Sequence, residues 1–506
     1  MILKEKAPEA ERTEPVMQVQ QGAERYAHLT TKRSAAALRG IFWSMINSIV
    51  PSSLAAGIFL FSSRMLHPAD FGLVALALSV SSIIGSVAPS GFGEALIQRK
   101  SLDETHLSTV FWVCVSAGFI AFATTFLVAF PVAYYTGQPI MKALLPVTGL
   151  KVVFDMAALV PGALLARKMS FHLVAMRTTI ASLVSGSVCV VLLLLGYGLW
   201  ALALSQVAAS VASVAGAFAA AGWFPKGRPT LAAFNDLKRF GLYASATNFM
   251  QFIYPEQLLV GSLLGPTALG IYGFGRRIFQ ILNDLIAGAL SSVSHALLSS
   301  LQAEREKLQR VFLVATFMSA AVAFPVFSGL AAVAEDGVPI VFGPQWVPAI
   351  PSVQLFCILG LISSVGFIQI GMIKARGAAD WWFWYQTVKK AVLTVSVFVS
   401  FSFGVTAVVA AAVIGALLLF PAPIWKSAQL IEIRLSTYVW QFVPPTIAST
   451  MMAATVWLFR DLGPEMDRTI RLIASICIGG CIYCVTLAVM SHGRLREILT
   501  LVRRGR

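Results

Sequence analysis

The chain has 506 residues, of which 57% are hydrophobic and 12% charged, with a mean hydropathy of +0.78. Soluble domains carry charge on about a quarter of their residues, so an ordinary globular protein is excluded, and apolar runs of 18 or more residues recurring from about residue 36 to 490 read as membrane spans. The net charge of +15 has no basic soluble domain to carry it, which excludes a nucleic-acid partner and points to anionic membrane lipids.

Residues 1–35 are polar and mixed in charge and read as a flexible cytoplasmic tail, without the apolar core and small-residue cleavage site of a secretory signal. Fourteen spans follow, at 36–62, 70–93, 108–133, 142–166, 171–195, 198–223, 241–263, 267–297, 311–334, 349–373, 380–401, 404–425, 438–459 and 468–490, and residues 491–506 form a basic cytoplasmic tail. The expected fold is therefore an all-α polytopic membrane protein. Short alternating segments, the mark of a membrane β-barrel, are missing. With the N-terminus inside, cytoplasmic segments collect 27 Lys and Arg and outer segments only five: Arg64, Lys142, Arg460, Arg468 and Arg471. That asymmetry sets both termini in the cytoplasm.

The chain repeats itself. Leu264-Gly265-Pro266-Thr267-Ala268-Leu269-Gly270 copies Leu66-His67-Pro68-Ala69-Asp70-Phe71-Gly72 after 198 residues, as L-x-P-x-x-apolar-G. Gly162 to Arg167 corresponds to Gly371 to Arg376 at an offset of 209, and Tyr197 to Ala201 to Phe403 to Ala407 at 206. Matches in one order at nearly equal offsets divide the chain into a six-span lobe at 36–225, a second at 226–430, and two appended spans at 431–490. Six spans per lobe relate the lobes by a two-fold along the membrane normal, which suits alternating access with substrate held between them.

Ionisable residues interrupt several spans. Lys151 and Asp155 share a helical face at i, i+4; Arg177 lies about two turns into span 5; Glu256 lies in span 7; Arg276, Arg277 and Asp284 lie in span 8; Lys389 and Lys390 lie near the middle of span 11. A charge at the centre of a spanning helix costs at least about 2.5–3.5 kcal/mol, so such groups face water or one another. Structural pairing accounts equally well for some of them: Lys151 with Asp155, and Glu256 with Arg277. As a set, the bases outnumber the acids two to one, which suits an anionic ligand such as a diphosphate. Asp155, Glu256 and Asp284 are the candidate coupling sites for H+ or Na+. No other cofactor or metal is expected. The chain has neither a GxxxxGK[ST] loop nor an HExxH motif, and an enzyme is not expected. The six cysteines lie in apolar runs and read as packing residues, although 477, 481 and 484 share a helical face.

The stretches SSRMLHPADFGLVALALSV (62–80), GFGEALIQRKSLDETHLSTVFW (91–112), LLGPTALGIYGFGRRIFQI (263–281) and VFGPQWVPAIPSVQLF (341–356) resemble the polysaccharide exporters of the multidrug/oligosaccharidyl-lipid/polysaccharide superfamily. The likeness is to the Wzx-type flippase branch that includes colanic acid and teichuronic acid exporters. It implies a V-shaped, MATE-like pair of lobes around a cationic cavity. It also implies flipping of an undecaprenyl-diphosphate-linked oligosaccharide across the bacterial inner membrane, driven by an ion gradient, with a polysaccharide polymerase or export machinery as potential partners. It places Arg64, Glu256 and Arg277 where the branch carries charged residues, although Glu256-Gln257 replaces the commoner Asp-Asn. The Gly343-Pro344-Gln345-Trp346 motif is expected to shape a turn. A drug or metabolite antiporter, a peptidoglycan-precursor flippase and a non-transporting scaffold stay open as alternatives.

Overall fold

The computed structural model describes residues 43, 46–99, 101–252, 255–300, 305–462 and 466–504; the N-terminal tail expected at 1–35 lies outside them. The helices α1 (Ile46–Met65), α2 (Pro68–Ser86), a short α3 (Phe92–Gln98), α4 (Glu104–Thr136), α5 (Met141–Ala157) with its continuation α6 (Leu159–Arg167), α7 (Phe171–Leu194) and α8 (Leu199–Ala221) come first. Then follow α9 (Leu231–Phe252), α10 (Pro255–Leu264), α11 (Pro266–Ser300), α12 (Arg305–Val341), a 3-10 turn at Pro344–Ala349, α13 (Ile350–Ala375) and α14 (Ala379–Ser400). The chain closes with α15 (Val405–Leu419), α16 (Pro421–Ile431), α17 (Leu435–Val439), α18 (Val443–Leu462) and α19 (Arg468–Arg504).

Among the described residues, eleven helices or helix pairs are long and apolar enough to cross a membrane. The segments expected to span at 241–263, 267–297 and 380–401 are helical but fall outside that set. They are α9 with α10, α11, and α14, which between them carry Glu256, Arg276, Arg277, Asp284, Lys389 and Lys390. For α11 and α14 the polar residues that lower the hydropathy include those that nominated them as functional. At the far end α19 runs on to Arg504 across a kink at Ser491, the first residue of the expected tail.

Both copies of the repeated turn start a helix in the same way. Pro68 and Pro266 occupy the first helical position, where a missing N–H costs nothing because that donor has no intrahelical acceptor. At the first copy the Asp70 carboxylate accepts the His67 backbone N–H at 3.1 Å, closing the turn. At the second, Gly265 supplies a φ of 87°. The two copies then meet each other. A Cβ on Gly72 would stand 1.7 Å from the Pro266 carbonyl oxygen, and one on Gly270 would stand 1.8 Å from that of Pro68. The contact is reciprocal and made backbone to backbone, so only glycine fits at either position.

The connection into α9 is also fastened. Gly227 N–H donates to Ser108 Oγ (3.2 Å) and Thr230 N–H to Thr109 Oγ1 (3.0 Å), both on α4. Asp236 accepts from His106 Nε2 (3.3 Å) and Arg99 Nη2 (2.9 Å). These two bonds, that from His106 foremost, hold the Asp236 carboxyl below the usual carboxylate range.

Candidate functional site

A cavity of about 630 Å³ lies between α1, α2, α7 and α8 on one side and α10 and α11 on the other. Its charged wall is α11. Gly270, Gly273, Arg277, Gln280 and Asp284 all line it, spaced 3, 4, 3 and 4 residues apart, which places them on one helical stripe. The glycines leave room near the turn, and the polar side chains follow down the helix. Arg277 and Asp284 are both exposed within this cavity and make no hydrogen bond or ion pair among the described residues. They stand two turns apart, about 10 Å along the axis.

Arg276 is different. Although it reaches the cavity, its Nη1 donates to Glu256 Oε1 at 2.5 Å, and both side chains are largely buried. The expected pairing of Glu256 with Arg277 is therefore replaced by pairing with Arg276, the neighbour on the buried side of the helix. Lys390 Nζ donates to the Met250 carbonyl on α9. Lys389 stays exposed and, like the other predicted bases apart from Arg276 and Arg277, does not line this cavity.

Lys151 and Asp155 pair with each other on α5, and Asp155 also accepts from Ser210 Oγ on α8 at 2.8 Å. Arg177 sits where Gly162 of α6 and Gly216 of α8 leave space: Cβ atoms there would stand 3.0 Å from its Nη1 and 3.2 Å from its Cγ. Its Nε is buried without a hydrogen-bond partner among the described residues.

Arg64 joins neither the cavity nor an acid. Its Nε and Nη2 donate to the carbonyls of Val341 (2.7 Å) and Ile340 (2.6 Å) at the end of α12, whose last carbonyls lack intrahelical donors. Gly343, at a φ of 109°, turns the chain into the 3-10 segment. There Gln345 Nε2 and Trp346 Nε1 both donate to the Ser63 carbonyl at 2.8 Å. Trp346 is fully buried, stacked on Phe274 at 4.0 Å and edge-on to Phe71 at 5.2 Å. GPQW thus shapes a turn, as expected, and also fixes the end of α1. Asp336 of α12 receives Arg471 of α19 (2.9 Å from Nε), and Glu335 receives Arg460 of α18 (2.8 Å), so three of the five bases assigned to the outer side converge on the end of α12.

Several cavity residues escaped the sequence reading. Gln280, Gln206, Ser52, Ser182 and Ser185 carry no charge and raise no alarm in a hydropathy trace. Gln257, noted in the sequence only beside Glu256, accepts from Ser79 Oγ at 3.0 Å. For Gln280 a signal existed in the spacing of polar residues along α11. Of the cysteines, 114, 189 and 357 are buried, whereas 477, 481 and 484 are exposed and do not pack as expected.

A family model described as "polysaccharide biosynthesis protein" matches residues 62–351. The succinoglycan biosynthesis transport protein ExoT of Rhizobium meliloti (strain 1021) is 25% identical over 92% of this chain and 95% of its own length. The teichuronic acid biosynthesis protein TuaB of Bacillus subtilis (strain 168) is 23% identical over 83% and 88%, and the lipopolysaccharide biosynthesis protein WzxC of Escherichia coli (strain K12) is 24% identical over 68% and 70%. Among solved structures, the lipid II flippase MurJ in an inward closed conformation shares the fold with a TM-score of 0.69 at 13% identity, covering 91% of this chain and 99% of that one. An inward-facing MATE family multidrug resistance transporter shares it with a TM-score of 0.54 at 16% identity, covering 76% and 98%.

Proposed function

Since the chain belongs to the polysaccharide biosynthesis protein family, we propose that it is a flippase of the multidrug/oligosaccharidyl-lipid/polysaccharide superfamily that carries an undecaprenyl-diphosphate-linked oligosaccharide from the cytoplasmic to the outer leaflet of a bacterial inner membrane. The observation that carries this reading is the cavity with an uncommitted Arg277 on its wall. A guanidinium without a protein partner at membrane depth is costly unless water or an anion satisfies it, and its fork of donors matches phosphate oxygens. With Arg276 neutralised by Glu256, Arg277 is the cation offered to the diphosphate.

Asp284, two turns away on the same stripe, is the carboxylate available to H+ or Na+. Occupation of Asp284 by a cation removes the one acid competing for Arg277 within the cavity, which links ion and anion binding through one helix. The two lobes of 36–225 and 226–430 rock about the reciprocal contact of Gly72 and Gly270, and α18 and α19 ride with the second lobe through Asp336 and Glu335. Both termini lie in the cytoplasm.

Deletion of the gene tests the reading. Lipid-linked repeat units should accumulate on the inner leaflet and secreted polymer should disappear, with both restored by the wild-type chain. Normal polymer accompanied by drug sensitivity would instead make the protein an antiporter.

A further inference from the structure

The cavity has a second wall that the transport reading leaves without a task. Every titratable residue lining the cavity lies on α11, whereas the wall built by α1, α7 and α8 mixes apolar side chains with polar groups that are all neutral. On that wall Ser62 and Ser205 donate to carbonyls of their own helices, Phe59 (3.2 Å) and Leu202 (2.9 Å). Ser52, Ser182, Ser185 and Gln206 make no hydrogen bond among the described residues. Ser182 and Ser185 are three residues apart on α7 and so share a face, with Gln206 on the neighbouring α8. Four uncommitted hydroxyl and amide groups opposite a guanidinium can both donate to and accept from a ligand, but they offer no counter-charge to an acid.

We propose that the wall of Ser52, Ser182, Ser185 and Gln206 is a glycan subsite that takes uncharged sugars, while α11 takes the phosphate, so that the cavity selects lipid-linked glycans whose diphosphate-proximal sugar is neutral. The inference rests on the transport reading above. Burying a carboxylate without a partner is far more costly than burying a hydroxyl that finds one, and on this wall an acidic sugar would find no cation. Reactions that add acidic groups to the proximal sugar must therefore follow translocation.

The test uses the full chain in phospholipid nanodiscs and three probes: undecaprenyl diphosphate, the same lipid carrying one glucose, and the same lipid carrying one glucuronic acid. The glucosyl probe should bind more tightly than the bare lipid, and the glucuronyl probe more weakly than the glucosyl one. Gln206→Leu with Ser182→Ala should cost the glucosyl probe roughly tenfold, two hydrogen bonds' worth, and leave the bare lipid unchanged. Gln206→Arg, which adds the missing cation, should favour the glucuronyl probe. Equal or tighter wild-type binding of the glucuronyl probe overturns the proposal, as does equal loss of all probes in the double variant. If the bare lipid binds but glucose adds nothing, the subsite alone falls. If the bare lipid fails to bind and Arg277→Gln changes nothing, the transport reading falls and takes the subsite with it.

Discussion

Arg64 and Arg277 make an instructive pair. Family resemblance singles out both, and hydropathy adds weight to Arg277 alone, yet the structure gives them opposite surroundings. At the end of α12, Arg64 is spent on two carbonyls beside a turn in which Gln345 and Trp346 are spent on a third. In the cavity, Arg277 makes no hydrogen bond or ion pair among the described residues and feels only the charge of Asp284, two turns away. A charged residue that the family pattern singles out is therefore not by that alone functional; whether its charge is already satisfied separates framework from function. One region is closed upon itself by hydrogen bonds, and the other is left with bonds to give.

Breaking the backbone contact between the two repeated turns, which adjoins both regions, should have the largest effect. Gly72→Val places a branched side chain into the Pro266 carbonyl, and overpacking against backbone costs about 3 kcal/mol or more. The variant should fail to accumulate as a monodisperse species in detergent; wild-type yield and melting would refute the reciprocal contact. Arg277→Gln should do the reverse, leaving abundance intact while export falls roughly 10- to 100-fold, the worth of one charged hydrogen bond. Arg64→Gln sharpens the contrast from the other side. It should cost about 1–2 kcal/mol of stability, read as a lower melting temperature, with export per folded molecule unchanged. Equal specific export from the Arg277 and Arg64 variants would erase the contrast between the two sites.

The smallest effect lies outside the expected spans, at Asp236. Its folded pKa is depressed by His106 and Arg99, so its contribution to stability is present above the ordinary carboxylate value of about 3.9 and is lost as pH falls through the lower folded value. The difference in melting temperature between wild type and Asp236→Asn should accordingly be present at neutral pH and close below pH ~4. A gap that persists to lower pH would mean that the carboxylate is not the source of the stability.

The sequence made the helices legible because a bilayer forces the backbone to satisfy itself within each segment, and eleven expected spans recur on that account. Two similar turns 198 residues apart could be picked out in the sequence, but that they touch could not. Pairing was only half legible. Lys151 and Asp155, close on one helix, met as their i, i+4 spacing allows, whereas the choice of Arg276 over Arg277 by Glu256 depends on which way two adjacent side chains rotate about α11. The neutral wall could not be read at all. Serine and glutamine in a spanning helix mean little until the fold shows what they face.

Backbone resting on backbone at Gly72 and Gly270 has a mechanical corollary. At the crossing itself no side chain separates the two backbones, so in the proposed rocking of the lobes this joint would act as the fulcrum. Some 30 residues of α11 extend beyond it, a rigid arm of about 45 Å. A roll of only ~5° at the fulcrum would sweep the tip of that arm through about 4 Å, more than the width of a water molecule, and would carry Arg277, near the arm's base, barely 1 Å.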